Sequence, residues 1–295
     1  MRVGVIGLGN IGGHIANNLV TDGHEVTVYD VDAARVAAIT GAEAAATVAA
    51  VGKAAEITML SLPSPEAVRQ VGDEWATTAA AGSILVDLST NNPTVVRDLG
   101  ARLATTGHHL VEAPLTGGSP GAENRMLMFM VGGDDEPVAR VREVLDPLGR
   151  ATFHLGALGL GNTMKLVNSL LAYAATWASL EGLSLCAKAG IPVQRTVEVL
   201  RTGGTTNFYL ERMVEGIDER NRPTTFALEL AAKDMGLVVD TGRSLAVPTP
   251  QGSALLQVLV GAMAEGLGDH DWSDLVLAAE ARAGVDLHLP PKKEG

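Results

Sequence analysis

Aromatic residues are scarce in this chain, at 3% of its 295 positions. It has one cysteine, Cys186, so no disulfide can form within it; that residue lies in an apolar helical stretch and reads as a small core side chain. Basic residues are outnumbered, 22 Lys and Arg against 34 Asp and Glu, leaving a net charge of −12. Nucleic acid and anionic bilayers both require a basic face, so neither is an expected partner. A small anionic substrate stays open, because a few local donors suffice to hold a carboxylate.

Long apolar runs are also few. The longest, in 166–180, is broken by Asn168 and Ser169 and falls short of a membrane span. No basic-then-apolar leader precedes the strand pattern at 2–6, and a cytoplasmic protein is expected. The seven histidines are scattered, and His108 and His109 would point to opposite faces of a strand. With neither HExxH nor CxxC present, no metal site is expected. No G-x-S-x-G elbow is read in the sequence, so a Ser-His-Asp hydrolase is not expected either.

What is present is a regular alternation. Arg2–Ile6 is an apolar run ending at Gly7 and reads as a buried strand; 26–30, 57–63, 83–90, 108–115 and 126–133 read as further strands. Helical spacing fills most of the intervals, beginning with Ile11, Ile15 and Leu19. This order predicts a parallel, doubly wound sheet. From about Asn162 the pattern changes. A proline-free apolar helix runs to Gly190, a natural C-terminal stop, and 193–203, 226–244 and 254–266 are helical in period. The expected organisation is a dinucleotide-binding α/β domain over 1–161 and an all-helical substrate and oligomerisation domain over 162–295, joined by a long helix at about 162–189. So apolar a helix is expected to pack against a second copy of the chain.

Gly7-Leu8-Gly9-Asn10-Ile11-Gly12 follows a strand and opens a helix. Gly7 permits the turn, Gly9 leaves room for a pyrophosphate, and Gly12 lets helix and strand pack closely. The pyrophosphate would lie over free N–H groups at the positive end of the helix. Asp30 ends the next strand, where a carboxylate accepts from both ribose hydroxyls and repels a 2′-phosphate. Asp32 adds to the repulsion, so NAD is expected rather than NADP. The plainer alternative for Asp30 is a surface cap on the next turn.

Residues 112–122 (EAPLTGGSPGA) combine paired glycines with Thr116, a concavity suited to a carboxylate, although a Gly-rich turn needs no ligand. Lys165 stands on the long helix with Asn168 at i+3 and Ser169 at i+4, beside apolar Met164, Leu166, Val167 and Leu170. Desolvated there, near an oxidised nicotinamide, a lysine has its pKa lowered toward neutrality and exchanges a proton with an alcohol. A lysine snorkelling from the helix start is the alternative. Lys233-Asp234 forms a second polar pair, and Trp177, Phe208 and Tyr209 are candidate pocket aromatics.

Together these stretches resemble the β-hydroxyacid dehydrogenase family over nearly the whole chain. The family's GLGxMG is similar to Gly7–Gly12, with Ile11 in the methionine place, and its D-A-P-V-S-G-G-x-x-G-A is similar to Glu112–Ala122. Its G-x-G-x-x-x-K-x-x-N-N matches Gly159–Ser169, and its late KD pair matches Lys233-Asp234. The resemblance implies a Rossmann domain followed by a helical domain, a homodimer or homotetramer, and a short 3-hydroxyacid or its semialdehyde as substrate. It makes Lys165 the acid/base and assigns substrate orientation to Asn168 or Ser169. Thr116, Gly117 and Gly118 become the carboxylate cradle. Leu62, Pro63 and Thr90 join Gly7–Gly12 and Asp30 on the cofactor, and Lys233 closes the site. The chain departs from the pattern at Glu112 (usually Asp), Thr116 (usually Ser), Arg125 (commonly Gly) and Ser169 (usually Asn). Arg125 is expected to read a second anionic group on the substrate. An imine reductase, which usually lacks the lysine, and a non-catalytic dinucleotide-binding module are the competing readings.

Overall fold

The computed structural model describes residues 1–218 and 223–289. The chain divides into two compact units, Met1–Leu166 and Val167–Gly295, so the first turns of the long helix belong with the first unit. The end of the expected helical domain, 290–295, lies outside the described residues.

The first unit is built on β1 (Arg2–Ile6), β2 (Glu25–Tyr29), β3 (Glu43–Ala44), β4 (Ile57–Leu60), β5 (Ile84–Asp87) and β6 (His109–Glu112). All pair in parallel, in the order β3-β2-β1-β4-β5-β6. This is the strand order of the dinucleotide-binding doubly wound fold. The helices between them are α1 (Gly12–Thr21), α2 (Ala33–Ala37), α3 (Val48–Ala54), α4 (Pro65–Trp75) and α5 (Pro93–Thr105). A strand covered on both faces must be apolar throughout, and here the alternation sorts the side chains into two cores. Val3, Val5, Val28, Met59 and Val86 pack with Ile15 and Leu19 of α1. Ile6, Leu60, Leu85 and Leu110 pack with Val51, Val68, Trp75 and Leu99 of α3–α5.

A second, three-stranded sheet follows: β7 (Leu115–Thr116) is antiparallel to β8 (Leu127–Val131), which is parallel to β9 (Gly149–His154). The sequence suggested one strand over 108–115. It divides instead at Ala113-Pro114, where proline offers no N–H to a ladder. The expected strand at 126–133 is β8, in this second sheet and outside the doubly wound one, and β9 was not anticipated. Helices α6 (Gly118–Glu123) and α7 (Asp135–Leu145) flank the sheet in sequence.

α8 (Leu160–Lys188) runs from the first unit into the second and stops where the sequence placed its end. Gly190 has φ +89°, and the N–H groups of Gly190 and Ile191 close onto the carbonyls of Ala187 and Cys186. Within the second unit follow α9 (Val193–Thr202), α10 (Phe208–Asp218), α11 (Leu228–Ser244), α12 (Pro250–Ala264) and α13 (Leu275–Ala283). α11 buries Leu228, Ala231, Met235 and Val238, a helical stripe. As a 29-residue helix α8 is long and apolar enough to cross a bilayer by length and composition, which corrects the shortfall inferred from its longest apolar run. Its Ser169 and Tyr173 nevertheless bond to a buried carboxylate on α11, so part of its length packs within the protein.

Two glycine substitutions test this packing in opposite directions. A Cβ on Gly12 would lie 1.9 Å from the Gly7 carbonyl oxygen, whereas one on Gly236, in α11, would meet nothing within 4 Å. Gly12→Ala should lower the thermal midpoint, at a cost of roughly 1–3 kcal/mol. Gly236→Ala should raise it, with a gain of about 0.5–1 kcal/mol from helix propensity. Thermal unfolding followed by circular dichroism checks both.

Candidate active site

The glycine loop is shaped by close contacts on two sides and open space on the third. Gly7 has φ +89° and donates its N–H to Tyr29 O at 2.9 Å; a Cβ there would meet Ser61 O at 2.3 Å. Gly9 differs: the nearest atom to its Cβ position is Arg35 Nη1, at 3.7 Å. α1 begins at Gly12 with no side-chain cap, while α3, α4 and α5 are capped by Thr47, Ser64 and Asn92. An uncapped helix start beside an open glycine fits a pyrophosphate.

Asp30 is almost fully buried, with its side chain 5% exposed. Oδ2 accepts from Leu8 N at 2.6 Å, and Oδ1 accepts from Asp32 N at 2.8 Å. The residue therefore ties the glycine loop to the end of β2, a task the motif alone did not announce. Arg35, which no motif signalled, lies 3.8 Å from Asp30 Oδ2 and 3.6 Å from Asp32 Oδ2. From Tyr29–Val31 a hollow of about 600 Å³ extends along α2 and β3, walled by Ala33, Val36 and Ala45 among others. A hollow walled by small side chains beside a buried carboxylate fits a nucleoside, so the residues present suit the dinucleotide.

The sheet register gathers the other cofactor candidates onto the same edge. Ile6 is level with Tyr29 and Leu60, Leu60 with Asp87, and Asp87 with Glu112. Gly7, Asp30, Leu62-Pro63 and Thr90 therefore all emerge at the C-terminal ends of adjacent parallel strands, where ligands of such sheets bind. The loops are tied together: Leu62 N donates to Ser89 Oγ at 3.0 Å, and Ser89 N donates to Asp87 Oδ1 at 2.9 Å.

Glu112, at the end of β6, is fully buried. Its carboxylate accepts from Gly159 N at 2.5 Å, Gly161 N at 2.9 Å, Asn162 N at 3.1 Å and Asn162 Nδ2 at 2.7 Å. Asn162 Oδ1 accepts from Asn91 N at 2.7 Å, and Asn91 Nδ2 donates to Asp87 Oδ2 at 2.9 Å. Burial pushes the Glu112 carboxyl above its ordinary range against the pull of these donors. The result is a continuous polar chain from the end of β5 to the first turn of α8. Lys165 follows one turn later and is half-buried. Its neighbour Leu166 is buried, but Met164 and Val167 are about 42% and 43% exposed and do not enclose it as the sequence suggested. On the other side of Glu112, Thr116 pairs with Met128, and Gly117 and Gly118 adopt φ +129° and +63°.

The remaining candidates belong to the second unit. Ser169 is buried and donates to Asp234 Oδ2 at 3.3 Å, as does the Tyr173 hydroxyl. Asp234 Oδ1 is 3.2 Å from Lys233 Nζ, the ion pair expected from the sequence. Burial, then the Asp234 charge, hold the Tyr173 phenol well above its ordinary pKa, so it remains a donor. Tyr173 stands 5.3 Å from the Trp272 ring and 6.5 Å from Phe226, an aromatic group that sequence spacing did not reveal. Asn168 is half-buried. Trp177 donates to Glu181 at 2.7 Å and carries the Arg282 guanidinium over its ring.

Two sequence readings need correction. The Arg125 guanidinium, expected to read a substrate anion, is engaged within the protein: both Nη atoms pair with Asp22, at 2.8 and 2.9 Å, and also donate to Pro147 O and Asn18 O. It joins the end of α1 to the turn after α7. Gly117–Gly121 does have the G-x-S-x-G spacing of a hydrolase elbow, but Ser119 lies inside α6 rather than on a strained turn; Arg125 and Ala246 are the positive-φ non-glycine positions among the described residues.

Comparison with known proteins agrees with this geometry. Residues 2–156 match the family model described as the NAD binding domain of 6-phosphogluconate dehydrogenase. Residues 159–279 match that described as NAD-binding of NADP-dependent 3-hydroxyisobutyrate dehydrogenase. The chain is 31% identical to 2-(hydroxymethyl)glutarate dehydrogenase of Eubacterium barkeri, over 97% of each protein. It is 30% identical to 3-sulfolactaldehyde reductase of Escherichia coli, over 96% of this chain and 97% of that one. Among solved structures, Mycobacterium tuberculosis 3-hydroxyisobutyrate dehydrogenase with L-serine superposes at a TM-score of 0.85, with 27% identity, covering 94% of this chain and 98% of that one. The chain belongs to the β-hydroxyacid dehydrogenase family. It is an oxidoreductase of the CH–OH group that uses a nicotinamide dinucleotide.

Removing the guanidinium separates the two roles considered for Arg125. Arg125→Ala should cost about 0.5–1 kcal/mol of stability, the range of a partly exposed ion pair. It should leave the ratio of rates on monoanionic and dianionic hydroxyacids unchanged, as read from unfolding curves and from kcat/KM on one acid of each kind.

Proposed function

We propose that the protein interconverts a short 3-hydroxyacid and its semialdehyde, with NAD as the preferred cofactor and Lys165 as the group that moves the proton. The observation that carries this reading is the shared sheet edge. The strand ends that fit the dinucleotide are adjacent in register to Glu112, and Glu112 is bonded to the start of the helix bearing Lys165. The named relatives act on hydroxyacids or on an aldehyde counterpart, and a substrate of that class is proposed here.

Gly9 and the start of α1 hold the pyrophosphate. Asp30 takes the ribose hydroxyls on the lone pairs that Leu8 and Asp32 leave over, since each carboxylate oxygen accepts about two hydrogen bonds. When bound, the nicotinamide supplies the hydride acceptor. Thr116, Gly117 and Gly118 hold the substrate carboxylate, and Lys165 removes the hydroxyl proton as the C–H hydride departs. In reduction, Lys165 returns that proton to the nascent alkoxide. Holding the acid in register supplies much of the rate, and positioned proton transfer adds roughly 10²–10⁴-fold. Asn168 orients the substrate; the Ser169 hydroxyl serves Asp234, and Lys233 is steadied by the same carboxylate. An imine reductase or a non-catalytic module has no need of Lys165.

A second copy of the chain is the proposed macromolecular partner. Leu160, Met164, Val167 and Leu171 recur on one face of α8 and are 42–63% exposed, a stripe that a homodimer or homotetramer covers.

Turnover is read as NADH formation with 3-hydroxyisobutyrate, 3-hydroxypropionate, glycerate, serine, threonate and a sulfonated analogue. Lys165→Ala should lower kcat by about 10²–10⁴-fold while leaving the NAD dissociation constant within about twofold. NAD binding lost in parallel would make the lysine structural. Asp30→Asn, which keeps an acceptor and removes the charge, should narrow the gap between NAD and NADP in kcat/KM; an unchanged gap would refute the ribose assignment.

A further inference from the structure

The helix that carries Lys165 is capped differently from α3, α4 and α5 of the sheet. α3, α4 and α5 each take a neutral cap from the adjoining residue, Thr47, Ser64 or Asn92. Such local caps satisfy the free N–H groups of a helix start but leave the helix untethered to the sheet. The first turn of α8 is satisfied instead by Glu112, between 47 and 50 positions earlier in the chain. A buried carboxylate is a costly way to cap a helix if capping is all that is required. The surroundings are cut to fit it: a Cβ on Gly132 would lie 2.3 Å from Glu112 Oε1, and one on Gly161 would lie 3.2 Å from Glu112 Cδ.

Glu112 also heads the segment that leads to Thr116, Gly117 and Gly118. One side chain thus links the start of the proposed carboxylate cradle to the start of the proposed acid/base helix. We propose that Glu112 is the positioning residue of this reaction, its carboxylate fixing the 113–118 loop in register with Lys165. The inference rests on the proposed roles of Lys165 and the cradle and adds a determinant outside both. Glu112 touches neither substrate nor cofactor in this scheme. It acts through Gly161 and Asn162, which lie four and three residues before Lys165. A misplacement of about 1 Å at such a site lowers turnover by up to roughly 10²-fold. Aspartate at 112 shortens the arm by one methylene, and glutamine at 112 turns one acceptor into a donor facing N–H groups.

The test uses full-length Glu112→Asp, Glu112→Gln and Asn162→Ala, each compared with wild type on whichever acid of the panel wild type oxidises. The expected result is a fall in kcat of about 10- to 100-fold, with KM for the acid within about threefold and the NAD dissociation constant within about twofold. A readout independent of turnover accompanies it. The chain has six lysines, so reductive ¹³C-methylation gives few NMR signals, and that of Lys165 is identified by its loss in Lys165→Arg. Its titration midpoint should move by about half a pH unit or more in the Glu112 variants. Wild-type kcat in any folded variant, a fall in kcat matched by lost NAD binding, or an unmoved Lys165 titration overturns the proposal. If neither Glu112 variant folds, Asn162→Ala is judged by the same criteria. If wild type oxidises none of the acids, the functional reading fails by itself, and the Lys165 titration still decides the role of Glu112.

Discussion

A carboxylate taken out of water loses its hydration and persists only where donors replace it. At Glu112 three backbone N–H groups and one side-chain amide do so, all from a segment remote in sequence. That constraint orders the first unit. It sets where α8 begins, it fixes how Asn162 meets Asn91 and Asp87, and through Asp87 and Ser89 it reaches the backbone of Leu62. The loops following β4 and β5, the end of β6 and the first turn of the long helix thus share one hydrogen-bonded frame. Such a network is strong only when every member is satisfied.

The dinucleotide end follows the same logic. Asp30 holds the glycine loop with one oxygen and the turn before α2 with the other, so its orientation is set before any ligand arrives. Arg35 stands beside both Asp30 and Asp32, which moderates the negative charge at that edge. Preference between the two dinucleotides therefore belongs to a cluster of three charged side chains, and the identity of residue 30 is one part of it.

Features that depend on neighbours in sequence were legible in advance. The two-residue alternation of the strands, the turn at Gly7, the stop at Gly190 and the Lys233–Asp234 pair each need only a few adjacent residues. Features set by distant partners were not. Arg125 meets Asp22 across 103 positions, and Ser169 meets Asp234 across 65, so neither spacing nor residue type revealed that these groups were already engaged. The strand at 126–133 was visible, but its assignment to a separate sheet depends on the break at Pro114 and on β9, whose mixed polar and apolar residues gave no clear strand signal. The G-x-S-x-G spacing shows the converse: a short pattern occurs without the strained turn that gives it chemical meaning.

Long-range capping has a consequence for the order in which the molecule assembles. Helices with neighbouring caps can complete their first turn as soon as those few residues meet. The acceptor for the first turn of α8 comes instead from the end of β6, which pairs with β5, across a span of 47 to 50 residues. Closing a loop of that length costs conformational entropy, which is repaid only once the non-local contacts form. The helix start before Lys165 therefore has its full set of hydrogen bonds only when the end of β6 is in place.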